Sequence, residues 1–189
     1  MGQQFASIED RHRAFIEKQR IFFVASAAPA GRVNVSPKGM DAFRVLGANE
    51  VAYLDLTGSG SETAAHLRAG DDPRLTIMFC AFEGPPLILR LYGRGASLPR
   101  GSAEYGALLH HFEELPGARQ IIRLEVDLVQ TSCGMAVPFF DYKEPRQELS
   151  RWATRQGREG LRKYWRLKNM KSIDGLATGF DPDAMAEAE

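Results

Sequence analysis

Cysteine is scarce in this chain, at two in 189 residues, and neither Cys80 nor Cys133 belongs to a CxxC pair or a Cys/His cluster. A structural zinc centre is therefore unsupported, and with no mark of secretion no disulfide is expected. Net charge is missing as well, because 24 Lys+Arg balance 24 Asp+Glu. That removes broad attraction to nucleic acid or to an anionic membrane surface, so recognition of a charged ligand has to be local. No apolar run approaches the roughly 20 residues of a membrane span. The segment Met1–Ser7 has no basic stretch or apolar core of a signal peptide, and its superficial match to a myristoylation pattern is discounted, so the expected location is the cytoplasm. Internal repeats and low-complexity tracts are absent. So are the two common phosphate fingerprints: no GxxxxGK[ST] occurs, and Thr63 stands where GxGxxG needs its third glycine.

What is present begins at Asp55-Leu56-Thr57-Gly58-Ser59-Gly60-Ser61-Glu62-Thr63. An apolar run, Val51 to Leu54, precedes it and reads as a strand. Ala64-Ala65-His66-Leu67-Arg68 follows and reads as the start of a helix. A strand, a glycine-hydroxyl turn and a helix start together offer backbone N–H groups and hydroxyls to an anion, phosphate above all. A plain strand-to-helix loop with a serine N-cap uses the same residues. Upstream, Arg32-Val33-Asn34-Val35-Ser36-Pro37-Lys38-Gly39 alternates strictly. Val33 and Val35 point one way, while Arg32, Asn34 and Ser36 point the other, and Lys38 ends the run in a cationic turn.

A helix is expected over residues 7–20, opened by a capping box at Ser7-Ile8-Glu9-Asp10. Strands are expected at 21–27 and 32–36, at 43–46 and 51–55 as a hairpin, and at 74–82, 87–96 and 120–130. Short helices fall at about 62–69 and 102–112. Residues 146–170 form two helices outside the strands, and 169–176 are irregular. Strands mostly follow strands, so the fold is mainly β, an antiparallel barrel or sandwich with peripheral helices in one domain.

In order, FFVAS, RVNVSPKG, YLDLTGSGSETAAHL, TIMFCAFEGPP, LILRLYGRG, TSCGMAVP and KNMKSIDGL resemble the pyridoxamine 5′-phosphate oxidase-related, FMN-binding split-barrel family from about Phe15 to Leu176. The resemblance implies a six-stranded Greek-key split barrel, spanning 1–189 here with a C-terminal helical extension at about 146–176. It also implies a homodimer with FMN in a groove at the interface, and a small-molecule substrate. The segment Arg32–Lys38 would line the flavin and its ribityl phosphate, and Asp55–Thr63 would close over the phosphate. In true pyridoxamine phosphate oxidases an Arg-Lys pair occupies the places of Glu62 and Thr63, and Arg-Gln the places of Leu87 and Ile88. The C-terminal motif that builds the vitamin B6 pocket has no counterpart. The expectation is an FMN-binding oxidoreductase that is not a true pyridoxamine phosphate oxidase. The alternatives are a non-catalytic flavin or haem carrier and a deazaflavin-dependent reductase.

The candidate cofactor residues are thus Arg32, Val33, Asn34, Val35, Ser36 and Lys38 on one segment, and Asp55, Leu56, Thr57, Ser61, Glu62 and Thr63 on the other. Arg90 joins them, because it shares a face with Tyr92 on a strand whose other face is Leu87, Leu89 and Leu91; a salt bridge or an interface explains it equally well. No catalytic acid, base or metal ligand is assigned. His66 reads as a capping or core-edge residue, His110 and His111 as helix surface, and Cys80, Trp152, Tyr164 and Trp165 as packing. Cys133 and the polar tail Asn169, Ser172 and Asp174 lie where they could approach the groove, although a surface loop is the simpler account of the tail.

Overall fold

The computed structural model describes residues 2–184. Among them eight strands form one antiparallel sheet. The elements are β1 (Gln3–Phe5), α1 (Asp10–Ile16), β2 (Phe22–Ser26), β3 (Asn34–Lys38), β4 (Phe43–Gly47), β5 (Glu50–Leu56), α2 (Glu62–Arg68), β6 (Arg74–Cys80), β7 (Ile88–Pro99), α3 (Ala103–Leu109), β8 (Ala118–Ser132) and α4 (Glu148–Lys168). Their order is β3-β2-β6-β7-β8-β5-β4, with β1 on the far end of β8. The end strands β3 and β4 do not pair with each other, so the barrel is split. The long β7 and β8 form its spine, paired from Ile88↔Ser132 to Pro99↔Gln120.

Alternation builds the interior. Val24, Val51, Tyr53, Ile77, Leu89, Leu91, Ile122 and Leu124 are buried in one core cluster. Each fully buried aliphatic or aromatic side chain contributes roughly 1.5–3 kcal/mol. The opposite face of β5 is also covered: Ala52 and Leu54 pack with Tyr105 of α3, with Leu98 and with Ile121. A strand sheathed on both sides carries its last polar residue, Asp55, into the protein.

Two local expectations change, and the pair of C-terminal helices is found. The strand β1 precedes the first helix, which the sequence did not announce, and it brings the seven strands read from the sequence to eight. Helix α1 starts later than Ser7: its N-cap is Glu9, whose backbone N–H donates to His12 Nδ1 at 3.1 Å. The C-terminal helices run together as α4 but are separated at Gly157, whose φ of 62° and ψ of −178° no helix accommodates. That left-handed backbone favours glycine.

Candidate functional site

The split in the barrel is bridged by charge. From the edge strand β3, Lys38 Nζ reaches Asp55 Oδ1 on β5 at 2.8 Å. The other carboxylate oxygen accepts from Arg119 Nε at 2.9 Å and Gln120 Nε2 at 2.7 Å. The side chains of Asp55 and Arg119 are 4% and 3% exposed. Burial by itself would raise the Asp55 pKa; Arg119, Lys38 and the hydrogen bonds from Lys38 and Gln120 outweigh it and hold the carboxyl well below the usual carboxylate range.

Above this triad lies an open cleft of about 680 Å³. One wall is the polar face of β3, Asn34, Ser36 and Lys38, and another is the turn Gly58 to Thr63. Val35 on β3 and Val33 just before it are 65% and 69% exposed at the rim of the cleft, on an unpaired sheet edge. Asn34 Nδ2 donates to Ser26 Oγ at 3.4 Å and to Thr63 Oγ1 at 3.3 Å, tying β2, β3 and α2 into one floor.

Two buried groups in this lining have no protein partner. Ser61 is the N-cap residue of α2, yet its hydroxyl makes no cap bond, which sets aside the reading of this turn as an ordinary serine cap. His66 bonds Ser26 Oγ through Nδ1 at 3.1 Å and leaves Nε2 unpartnered. A buried polar atom without a partner costs about 1–3 kcal/mol, and both of these residues line the cleft. An orphaned hydroxyl and an orphaned imidazole nitrogen fit a ligand rich in hydrogen-bonding groups. Helix α2 is only seven residues long, so its dipole adds little to the attraction.

The C-terminal segment forms the roof. Asn169, fully buried at the end of α4, accepts from Arg119 Nη1 at 2.9 Å and donates to the Gly58 carbonyl at 3.1 Å. The Ile173 N–H donates to the Glu62 carboxylate at 3.1 and 3.2 Å. Asp174 accepts from the Arg32 backbone N–H at 2.7 Å and pairs with the Arg32 guanidinium. These contacts, the backbone N–H of Arg32 foremost, hold the Asp174 pKa below its ordinary value.

Of the thirteen residues singled out from sequence, ten line this cleft: Arg32 through Ser36, Lys38, Asp55 and Ser61 through Thr63. The other three lie elsewhere. Leu56 packs against the cluster beneath α3. Thr57 is buried in structural bonds, donating to the Gly117 carbonyl at 2.7 Å and accepting from Trp165 Nε1 at 2.8 Å. Arg90 lies on the outer face of β7 with Ser132 Oγ at 3.1 Å. Sequence reasoning missed Arg119, His66, Lys168 and Lys171 as cleft residues. Arg119 lies just ahead of the strand expected at 120–130, and no local spacing signals it. Cys133 is exposed and Cys80 is buried. Among the described residues no cluster of three metal-ligating side chains occurs and no helix is long and apolar enough to cross a membrane.

The sequence profile of the family described as pyridoxamine 5′-phosphate oxidase matches residues 8–133. The chain belongs to that family. A relative from Aspergillus flavus, pyridoxamine 5′-phosphate oxidase family protein ustO, is 38% identical over 190 residues, covering 91% of this chain and 76% of the relative. Among solved structures, a HupZ variant of Group A Streptococcus superposes at a TM-score of 0.52 with 18% identity, covering 66% of this chain and 99% of that one. A protein from Lactobacillus delbrueckii, described as a putative pyridoxamine 5′-phosphate oxidase, reaches 0.50 with 14% identity over 66% of this chain and 94% of its own. At such identities the likeness shows the fold alone. The family match ends at Cys133, so α4 and the roof over the cleft lie outside it.

Proposed function

We propose that this chain is an FMN-dependent oxidoreductase of the pyridoxamine 5′-phosphate oxidase-related type, acting on a small molecule and not serving as a pyridoxamine phosphate oxidase. The observation that carries the reading is the cleft of about 680 Å³ with the orphaned Ser61 hydroxyl and His66 Nε2 in its wall. Its size lies within the usual range for ligand and cofactor pockets, about 300–1,000 Å³. When bound, the flavin supplies the two-electron chemistry. The protein's part is to hold and orient it. Asn34 and Ser36 offer hydrogen bonds along β3, Ser61 and His66 offer the partners they lack, and Lys38 keeps donors to spare beyond the one used on Asp55. The acids of the cleft wall, Asp55 and Glu62, are engaged with their own chain, and so is Asp174 beside them.

The exposed valines of β3 and the exposed Ile173 at the same cleft support a homodimer with the cofactor at its interface. A bare edge strand with apolar β-branched side chains is a surface that a second chain covers. Arg90, outside the cleft of its own chain, would then be available to the partner. The engagement of all three acids favours one other reading, a flavin carrier without turnover.

The test is purification of the full chain, titration with FMN followed by flavin fluorescence quenching, and then addition of NADH or NADPH under anaerobic conditions. Quenching with bleaching of the flavin absorbance supports the oxidoreductase. Quenching without bleaching by either nucleotide supports the carrier. Absence of quenching removes both.

A further inference from the structure

We infer that Lys168 and Lys171, on the C-terminal segment KNMKSIDGL beyond the end of the family profile, form the phosphate-binding site of the cleft and supply the charge that Glu62 and Thr63 do not. The inference rests on the flavin reading above.

Five cationic side chains line the cleft: Arg32, Lys38, Arg119, Lys168 and Lys171. Arg32 is engaged by Asp174. Lys38 and Arg119 are both engaged by Asp55. Lys168 and Lys171 form no ion pair among the described residues, and both are exposed. Among the described residues they are the cleft cations that form no ion pair, and they add to the one positive charge that Asp55, a single carboxylate facing Lys38 and Arg119, leaves over.

Their position is set, because they bracket Asn169. Asn169 is pinned to the carbonyl of Gly58, in the same turn as the orphaned Ser61 hydroxyl. Thr178 Oγ1 donates to the Asn169 carbonyl at 2.7 Å, and Lys171 bridges to Ala177, which fixes the backbone beyond the helix. The two ammonium groups are therefore carried on an ordered stretch beside the hydroxyl turn. A helix C-terminus favours a cation in its own right, which accounts for Lys168 but not for Lys171, beyond the end of α4. The Ile173 N–H fixes the Glu62 carboxylate in place but leaves its charge, which the two ammonium groups outnumber. A phosphate dianion in this corner gains the Ser61 donor and two ammonium donors, the charge-assisted bonds that neutral hydroxyls alone do not give.

The test compares FMN with riboflavin, which differ by the phosphate alone, on the full chain and on Lys168→Gln/Lys171→Gln. Fluorescence quenching is read at low and high ionic strength. Wild type should prefer FMN, and the double variant should lose about tenfold or more of its FMN affinity, the worth of one charge-assisted contact. Riboflavin affinity should stay within about twofold, the salt dependence of FMN binding should flatten, and Lys168→Arg/Lys171→Arg should retain the preference. Both lysines are exposed, so the melting temperature should fall by no more than the loss of a cation at the end of α4 allows, and it serves as the folding control. A double variant that holds FMN as tightly as wild type overturns the inference and leaves the flavin reading intact. So does a wild type that binds the two flavins equally. A wild type that binds neither flavin overturns the flavin reading and the inference with it.

Discussion

Asn169 and Arg119, 50 residues apart in sequence, meet at 2.9 Å in the interior. That contact joins the C-terminal extension to the ionic bridge that spans the open barrel, and the Asn169 amide carries it on to Gly58. Replacing Asn169 with Ala leaves the Gly58 carbonyl and one Arg119 N–H without partners. The expected cost is about 1–3 kcal/mol, read by urea denaturation, with faster proteolysis at residues 169–176 than in wild type.

Asp55 faces two cations at once, the buried Arg119 and the half-buried Lys38. Asp55→Ala should destabilise the fold by about 3–5 kcal/mol, because Arg119 stays buried without its counter-charge. The pH dependence has a definite sign. The native pKa lies below the unfolded value of about 3.9, so ionised Asp55 contributes stability at neutral pH that is lost as pH falls below about 4 toward the native value. Urea midpoints from pH 7 to pH 3 should fall at the acid end for wild type, and less steeply for Asp55→Asn.

Ser61→Ala should move stability and binding in opposite directions. The hydroxyl is buried and unpartnered, so its removal should leave the melting temperature unchanged or raise it. FMN affinity should fall by about tenfold if that hydroxyl donates to the cofactor. Unchanged FMN affinity by fluorescence titration would take Ser61 out of the site.

Val35→Lys tests the sheet edge. Val35 is 65% exposed, so the variant should fold with the melting temperature of the wild-type monomer. A charge on the edge strand should convert a dimer to a monomer in size-exclusion chromatography with light scattering. FMN affinity should fall in parallel, as a cofactor site at the proposed dimer interface requires.

At Gly93, where φ is 159°, an added Cβ would lie 1.8 Å from the Glu125 carbonyl oxygen across the β7–β8 bulge. Gly93→Ala should cost about 3 kcal/mol or more. Gly106 in α3 has nothing within 4 Å of that position, and Gly106→Ala should stabilise by about 0.5–1 kcal/mol. Thermal melts of the two variants should shift to opposite sides of wild type.

The β architecture was legible because its signals are local. Alternation at Arg32–Ser36, the hairpin around Gly47 to Glu50 and the leucines at 89 and 91 each declare a strand within a few residues. The two cleft walls were legible for the same reason, as a polar strand face and a hydroxyl turn. Arg119, His66 and the roof were not, because their roles come from approach across the fold. Arg119 meets Asp55 over 64 residues, and Glu62 meets Ile173 over 111. Thr57 shows the reverse error: a hydroxyl in the right motif is turned to Gly117 and Trp165, a pairing that only the packing of α4 reveals.

The position of Asn169 also bears on how the chain should be divided. The family profile stops at Cys133, although the match to ustO covers 91% of the chain, and cutting at Cys133 would keep every strand. Such a fragment would nevertheless lose the side chain that neutral hydrogen bonding supplies to Arg119, the indole that seals Thr57 and one whole side of the cavity. The folding unit is thus longer than the profile, and trimming expression clones to the profile would yield a hollowed scaffold.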